Sequence, residues 1–501
     1  MMNKRFPGIG PRSSRSLSWG LPLLALLAVG GCKEDDETSP DSDSRSDAEW
    51  VGETLFSEIA SEVHPDVQTI LVVRVTLAAA VESLSIRYSF ESDEWYESPA
   101  RPAATGEVTV PVLGVPENTT VSFEVVAEIN NETVKSDERQ GVTGALPSKM
   151  PRPTVTAYEP DSTDGARWLL GSVEATPGEN RYYEGPFWLY IMDRDGRIVW
   201  YYSDLGYNPC MAYPRIARDG THVVVEKRLF FPSEYYQPRV ARMTLDRAFF
   251  EEIPIDDLAD CIDVTDDGGI LYNTYVPERE DDAGLKERLP SGEIRHVWSC
   301  TPWAVETGAH ATQHACYSNT VSWDPARNTV LLSMPYIDTV VEIDRATGEL
   351  IAQYGTFLDG GYGFEPDTVT LAFNHFPNFT PDGTLLVSSH LPGYIDYAIP
   401  GEHRFYEFEV DRQREMLVEK WRIGDGLSDW PMYKGEATRA FGGNTLLNFG
   451  TGGVIREVTP EKSTVFEVKW DADFSDDRFN LMVGHAIFVD DLYALCEGWD
   501  R

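Results

Sequence analysis

A unit of short apolar strands separated by turns recurs through the last two thirds of the sequence. Each copy begins near an Asp-Gly turn or its equivalent and continues into strands that end near an aromatic residue. The copies read DRDGRIVWYYSD from Asp193, ARDGTHVVVEKRLF from Ala217, DVTDDGGILYNTYV from Asp263, NTVSWDPARNTVLLSMPYIDTVVEIDRATGELIAQYG from Asn319, FTPDGTLLVSSH from Phe379 and FGGNTLLNFGTGGVIREVTPEKSTVFEVKW from Phe441. A period of roughly 45–60 residues without helical segments predicts an all-β, six-bladed β-propeller over residues 152–501. We expect the strand at His485 to close the ring by pairing near residues 155–172.

A smaller all-β domain precedes the repeats. The Pro-rich stretch at 146–153 marks the boundary, and residues 51–148 contain four runs that alternate apolar and polar residues. They read VQTILVVRVTLA, LSIRYSF, GEVTVPVLGV and TVSFEVVAEI. Short period-2 strands at this spacing predict a β-sandwich, and the segment is similar to fibronectin type III and immunoglobulin-like modules.

The N-terminus has the pattern of an export signal. Residues 1–31 carry a basic start, a short apolar run and the small residues Gly30-Gly31 directly before Cys32. Val29-Gly30-Gly31-Cys32 resembles the lipobox of bacterial lipoproteins, which implies that Cys32 is lipidated and anchors the protein. The alternative is an ordinary secretory signal with an incidental cysteine. Residues 32–50 are acidic and poor in apolar side chains, so we predict a disordered tether.

Charge restricts the possible partners. The formal net charge is −40 and becomes −44 once the four basic residues of the signal are removed. Such a charge repels nucleic acid and anionic lipid. We therefore expect no nucleic-acid partner, contact with the membrane through the N-terminal lipid only, and a location in the periplasm or outer membrane of a Gram-negative bacterium.

The cysteines allow two disulfide pairings. Five cysteines follow Cys32, and in an oxidising compartment Cys300 could pair with Cys316, or Cys210 with Cys261. The odd number leaves at least one thiol free, which we assign to Cys496.

Metal-binding patterns are weak. His310 and His314 are four residues apart, a spacing a metal could use on a helix, but they follow Gly308 in a predicted loop. The acidic clusters 193–196 and 278–282 could bind calcium, and solvated turns explain them equally well. We expect no metal and no cofactor.

His375 is the most informative polar residue. It lies in LAFNHFPNFTPDG, immediately before a predicted inner strand, where residues of a propeller face the central channel. A neutral imidazole at that place can act as a nucleophile, a general base or an orienting group. The chain has no phosphate-binding GxxxxGK[ST], no HExxH and no GxSxG motif.

Residues 155–495 resemble the bacterial aryl-sulfate sulfotransferases, which are six-bladed propellers with an N-terminal β-sandwich. The resemblance rests on His375 followed by PDGTLLVSSH, on RFYEFEVD from Arg404, on Trp421 and the glycines after it, and on the repeat from Asn319. It implies that His375 attacks the sulfur of an aryl sulfate, holds the sulfuryl group and passes it to a phenol, without a nucleotide.

The chain departs from the family pattern at three positions. The family's H-x-N histidine falls on Tyr317, its arginine on Pro335, and the histidine of an earlier motif on Ile262. The resemblance then leaves His314 or Tyr317 as acid, and His314 and Asn319 as helpers. Arg439 and Lys434 are the candidate cations, although solvated loop charges explain both equally well. The alternative function is a propeller that has lost its chemistry and binds ligands or proteins outside the cytoplasm.

Overall fold

Strands make up most of the computed structural model, which describes residues 52–91, 94–175, 187–204, 209–229, 237–275, 283–390, 403–424, 434–440, 442–470 and 481–496. The predicted signal, Cys32, the tether and the acidic cluster at 278–282 lie outside the described residues. Residues 50–501 form one compact unit. No helix in the described ranges is long and apolar enough to cross a bilayer.

The N-terminal part of that unit consists of two antiparallel sheets. One sheet has the order β1-β2-β6, and the other has the order β4-β3-β7-β8, with β5 and β9 paired to β3 and β7. Alternate residues of the strands face a shared apolar core, as the period-2 pattern predicts. Its elements are α1 Gly52–Leu55, β1 Phe56–Val63, β2 Leu71–Leu77, β3 Val81–Ser89, β4 Tyr96–Glu97, β5 Arg101–Ala103, β6 Gly106–Val112, β7 Thr120–Ile129, β8 Glu132–Lys135 and β9 Arg139–Val142.

These two sheets are fixed to the C-terminal part by buried contacts. Thr69 Oγ1 donates to the carbonyl of Val199 at 2.7 Å, and the backbone N–H of Leu113 donates to the hydroxyl of Tyr493 at 3.2 Å. Gly114 lies so close to the ring of Trp168 that a Cβ there would come within 2.8 Å of it. The N-terminal domain is therefore docked on the repeats.

The repeats form a β-propeller-like series of antiparallel sheets. Among the described residues there are six, in the orders β35-β11-β12-β13, β14-β15-β16-β17, β18-β19-β20-β21, β22-β23-β24-β25, β27-β28-β29-β30-β26 and β31-β32-β33-β34-β10. We number these sheets one to six and call the first strand of each order the innermost strand.

The bounds of these elements, in chain order, are β10 Pro153–Tyr158, β11 Trp168–Ala175, β12 Phe187–Met192, β13 Ile198–Tyr202, β14 Arg215–Ile216, β15 Val223–Lys227, β16 Arg239–Met243, β17 Phe250–Pro254, β18 Leu258–Val264, β19 Ile270–Thr274, β20 Gly284–Arg288, β21 Ile294–Ser299, α2 Cys300–Thr307, β22 Thr320–Asp324, β23 Thr329–Met334, β24 Thr339–Asp344, β25 Leu350–Tyr354, β26 Gly363–Glu365, β27 His375–Phe379, β28 Leu385–His390, β29 His403–Asp411, β30 Met416–Ile423, β31 Glu436–Arg439, β32 Thr445–Asn448, β33 Val454–Val458, β34 Thr464–Trp470 and β35 Leu481–Val489.

Both ends of the repeat region complete sheets begun elsewhere in the chain. β35 pairs with β11, so that Val489 lies opposite Trp168 and Leu481 opposite Ala175. This pairing confirms the closing strand predicted at His485. In addition, β10 pairs with β34 at the outer edge of sheet six.

A ring of hydrogen bonds joins successive sheets. The second strands are buried along their whole length because neighbouring sheets cover both faces, so their polar side chains require partners. On or beside each second strand, one polar side chain donates a hydrogen bond to a backbone carbonyl of the next sheet. That carbonyl lies at the start of the innermost strand, except in sheet one, where it lies within β35. We call these bonds the inter-sheet ring: Ser172 to Ala212, Arg228 to Asp260, Asn273 to Ser318, Ser333 to Asn374, Ser388 to Gly435 and Asn448 to Gly484. The last bond returns from sheet six to sheet one.

Replacing Asn273 with alanine tests this ring. The Asn273 amide oxygen accepts the N–H groups of Asp260 and Cys261, and its nitrogen donates to Ser318. The alanine variant leaves three buried backbone groups without partners, so we expect the free energy of unfolding to fall by about 3 kcal/mol or more. Urea denaturation measures this loss. The control is Asn444→Ala, which also removes an amide bonded to a backbone carbonyl but lies outside the ring. An equal loss of unfolding free energy in this control contradicts a special role for the ring.

Candidate functional site

His375 occupies the start of an innermost strand, as the sequence predicts. It is the first residue of β27 and is 6% exposed. Phe373 and Phe376 on either side have φ of 45° and 47°, a left-handed conformation that is strained for an aromatic residue. Strain of this kind is often retained where a side chain must be held in one direction.

The Asn319 amide fixes the tautomer of His375. Its nitrogen donates to the carbonyl of Asn374 at 3.2 Å and lies 3.1 Å from His375 Nε2, while its oxygen accepts from the Thr320 hydroxyl at 3.3 Å. The Asn374 carbonyl can only accept, so the amide orientation is determined and Nε2 must be an acceptor. His375 is therefore held with its proton on Nδ1 and a lone pair on Nε2.

The surroundings of His375 keep its ring neutral. Burial is the largest cause that lowers the pKa of His375 well below its ordinary value, and the nearby His390 and Lys434 lower it further. The rings of His375 and His390 are 5.5 Å apart, and His390 lies 4.5 Å from His403, whose pKa burial also lowers. An uncharged imidazole at neutral pH retains the lone pair that nucleophilic or base chemistry needs.

Lys434 is a buried cation close enough to His375 for its charge to lower the pKa of His375. It is 6% exposed, and its ammonium lies 4.2 Å from the centre of the Tyr213 ring. Among the described residues its Nζ has no hydrogen-bond partner. A buried ammonium without a hydrogen-bonded carboxylate is costly by itself and is suited to neutralising an anionic ligand.

Arg439 is not brought to His375 by any described contact. Its guanidinium forms an ion pair with Glu407 and donates to the Gly443 carbonyl at 3.0 Å and the Thr445 hydroxyl at 2.9 Å. Arg439 ends β31, whereas Lys434 precedes the same strand. Of the two cations predicted from sequence, Lys434 is therefore the one whose charge acts on His375.

Tyr317 and His314 belong to a group of aromatic side chains next to His375. We call Tyr275, His314, Tyr317, Tyr336 and Phe373 the aromatic cluster. Neighbouring ring centres are 5.3–6.1 Å apart, and Phe373 lies 5.7 Å from the His375 ring. Tyr336 is 44% exposed, so the cluster is open to solvent on one side. Its composition suits the stacking of an aryl ligand.

The Tyr317 hydroxyl donates to Asp260, which also forms an ion pair with the buried Arg228. Burial, together with the charge of Asp260, raises the pKa of Tyr317 well above its ordinary value. Tyr317 therefore keeps its proton and holds Asp260 in place. His314 is bonded instead through Nδ1 to the hydroxyl of Tyr275.

At two of the three positions where the chain departs from the family pattern no polar group enters the site, whereas Tyr317 at the third brings its hydroxyl to Asp260. Pro335 begins a buried turn that presents Tyr336, and Ile262 packs in an apolar core between sheets two and three. Where the resemblance implies an arginine and a histidine, the structure has an aromatic side chain and a core residue.

A disulfide joins Cys300 and Cys316 across the loop that carries His310 and His314. Of the two pairings predicted from sequence, this one is present, and Cys210, Cys261 and Cys496 are free and buried.

His310 Nδ1 lies 3.2 Å from the carbonyl of Ala304. No group of three or more metal-ligating side chains occurs within the described ranges. Asp193 serves as a turn carboxylate that binds Arg197.

Glu226 is a buried carboxyl that the sequence did not single out. One oxygen accepts the N–H groups of Ala212 and Tyr213 at 2.9 Å, and the other has no partner among the described residues. Burial raises the pKa of Glu226 to about 7, against smaller opposing effects of Arg228 and Lys434.

This carboxyl predicts a pH dependence of stability. Because folding raises the pKa of Glu226 from 4.5 to about 7, its contribution is complete below pH 4.5 and is lost as the pH rises through 7. Glu226→Gln keeps both accepted bonds and cannot ionise. We expect the variant to equal the wild type near pH 4.5 and to exceed it by about 3 kcal/mol at pH 8. Urea unfolding at both pH values measures this, and a difference that does not change with pH contradicts it.

Comparisons with known proteins do not assign a family. No protein-family model and no curated protein matches the sequence. Similar solved structures include a streptogramin B lyase, at 10% identity over 68% of this chain and 98% of that one, with a TM-score of 0.38. An inactive virginiamycin B lyase from Staphylococcus aureus, with quinupristin, is 10% identical over 67% of this chain and 100% of that one, with a TM-score of 0.38. An auxiliary nutrient binding protein from Bacteroides ovatus is 13% identical over 81% of this chain and 85% of that one, with a TM-score of 0.33.

Proposed function

We propose that this protein transfers a sulfuryl group from an aryl sulfate to a phenol through a sulfated His375, without a nucleotide or other cofactor. The observation that carries the proposal is the pairing of a buried, neutral His375 with the buried ammonium of Lys434, which has no described hydrogen-bond partner. The first supplies a nucleophile, and the second supplies positive charge where a sulfate ester carries its negative charge.

The proposal includes the finer assignments that the resemblance implies. The six sheets are the blades of one propeller closed by the inter-sheet ring, and the chain is a divergent relative of the bacterial aryl-sulfate sulfotransferases. Cys32 carries the lipid, residues 32–50 are the tether, and the protein works in the periplasm or at the outer membrane. A cytoplasmic nucleotide donor is absent there, which suits a donor that is itself a sulfate ester.

In the first half-reaction Nε2 of His375 attacks sulfur. The S–O bond to the aryl group breaks, the phenolate leaves, and the sulfuryl group is held on an imidazolium that keeps its Nδ1 proton. Formation of the N–S bond displaces the Asn319 amide from Nε2, so that its N–H can turn to a sulfuryl oxygen. Lys434 balances the charge on the equatorial oxygens.

In the second half-reaction a phenol oxygen attacks the same sulfur. The N–S bond breaks, the phenolic proton is released, and His375 returns to its neutral form. Donors whose phenol has a low pKa need little acid assistance. Tyr317 therefore acts as a positioning residue for Asp260, and no side chain is required to donate a proton to such a leaving group.

The test is turnover of p-nitrophenyl sulfate by the chain without residues 1–31, with and without added phenol. We expect release of p-nitrophenol that requires an acceptor, and formation of phenyl sulfate in equal amount. Absence of turnover with several aryl sulfates, in protein shown to be folded, overturns the enzymatic proposal.

One observation favours a second candidate, a ligand-binding propeller without chemistry. The lone pair of Nε2 is already engaged by Asn319, and Pro335 replaces the arginine that the resemblance implies. In this case aryl sulfates bind with an affinity that depends on Lys434 and are recovered intact.

A further inference from the structure

A second candidate site is a cavity of about 350 Å³ that is lined by the innermost strands and does not include His375. Every innermost strand contributes to its lining, through Arg215, Asp263, Ser322, Phe376, Thr438 and His485. Asn319, which contacts His375, precedes its strand, whereas the lining residues named above lie on theirs, and His375 is not among them. The cavity is therefore a site separate from His375.

Phe376 divides the two sites. It follows His375 directly, yet its ring lies 4.8 Å from the ring of His485 and 5.3 Å from the guanidinium of Arg215. The left-handed φ of Phe376 lets consecutive side chains point to different ends of the channel. A ligand in the second cavity thus contacts Phe376 without reaching His375.

Two arginines that line this cavity, Arg215 and Arg218, have N–H groups that are not used in hydrogen bonds to described residues. Asp263 is the carboxylate between them, at 3.6 Å from Arg215 Nε and 3.8 Å from Arg218 Nη2. Both oxygens of Asp263 already accept backbone N–H groups, from Val264 at 2.8 Å and Trp323 at 2.7 Å. The arginines are therefore neutralised in part, without the short bidentate bonds that guanidinium groups form with a free carboxylate.

The hydrogen bonds that these arginines do make use few of their N–H groups. Arg218 Nε donates to the carbonyl of Val264 at 3.0 Å, and Arg215 Nη1 donates to that of Pro214 at 3.4 Å. Among the described residues their other N–H groups have no hydrogen-bond partner. Arg215 is 8% exposed, so its donors face the cavity and not bulk water, whereas the side chain of Arg218 is 36% exposed to solvent.

The cavity also has apolar walls of aromatic rings. Trp323 and Phe379 line it with Phe376, and the Arg218 guanidinium lies 5.2 Å from the Trp323 ring. Asp324, the other carboxylate at this mouth, is paired with Arg327 and does not oppose the two arginines. Spare guanidinium donors beside aromatic walls in a concave site match a small ligand that has both an oxyanion and a ring.

We propose that this cavity binds a small aromatic oxyanion, with the oxyanion on Arg215 and Arg218 and the ring between Trp323 and Phe376. The site does not depend on the reaction proposed at His375. Carboxylate and sulfonate groups share the chemistry that the guanidinium groups recognise, and the choice between them is a matter for measurement.

The experiment is isothermal titration of the chain without residues 1–31 with benzoate, benzenesulfonate and inorganic sulfate. We expect saturable binding of one of the aromatic anions below about 10 mM and weaker binding of sulfate. Arg218→Gln should weaken it at least about tenfold. Arg414→Gln, which removes an exposed guanidinium that is paired with Glu365 and does not line the cavity, should leave it within about twofold.

Three results overturn the proposal. The first is no saturable binding of either aromatic anion. The second is equal binding by Arg218→Gln and the wild type. The third is binding that is lost with Lys434→Met but retained with Arg218→Gln, because this result places the anion at His375. Circular dichroism and the thermal midpoint show that each variant is folded. Since Arg215 is buried, Arg215→Lys serves as the second variant, and it should weaken binding less than Arg218→Gln.

Discussion

Replacing His375 with alanine is expected to lower the turnover of p-nitrophenyl sulfate by roughly a thousandfold or more. The substitution removes the atom that carries the sulfuryl group, so both half-reactions are lost together. The wild type, incubated with donor and no acceptor, should gain one SO₃ group on the peptide that contains residue 375. Mass spectrometry of the digested protein measures that gain.

The matched control is His310→Ala, because His310 is an exposed histidine in the loop after α2. It should keep full turnover and the same sulfated peptide. Turnover that survives in His375→Ala, or an SO₃ group on a different residue in the wild type, excludes His375 as the carrier.

Lys434→Met should separate catalysis from stability. Methionine keeps an unbranched side chain and removes the charge, so we expect kcat/KM for aryl sulfates to fall by about a hundredfold to a thousandfold. Since Lys434 Nζ makes no described hydrogen bond, removing a buried charge should leave the thermal midpoint unchanged or raise it. Few substitutions at a structural lysine behave in this way.

Steady-state kinetics and thermal unfolding of the same preparation provide both readouts. Lys420→Met is the control, because Lys420 is exposed and paired with Glu409 at 3.1 Å. If Lys434→Met keeps its activity, the ammonium does not contact the transferred group. If it loses stability and activity in proportion, Lys434 has a structural role.

The architecture was largely readable from sequence because its signals are local. Apolar runs between Gly- and Asp-containing turns predict strands, and their spacing predicts repeated sheets. The pairing of β35 with β11 was also accessible, since a surplus strand at the end of a repeat array must complete an earlier sheet. Which of two cysteine pairs forms could not be read, because it depends on the three-dimensional path of the loop between 300 and 316.

The site was readable only in part. His375 and Asn319 precede innermost strands, so strand order alone places them together. Arg228 follows a second strand and reaches Asp260 in the next sheet, whereas Glu226 binds the chain just before β14, and no local pattern marks either residue. Arg439 and Lys434 are equally basic in sequence, and only the direction of β31 separates them.

The chain order of β35 has a consequence for the time at which the protein can fold. The inner edge of sheet one is supplied by residues 481–489, about 300 residues after its partner β11. A growing chain therefore cannot complete its first sheet until residues 481–489 have left the ribosome. Until then β11 has an open edge and sheet one is incomplete. Late completion of this sheet is consistent with the export that we propose, because a chain must cross a membrane before it becomes rigid.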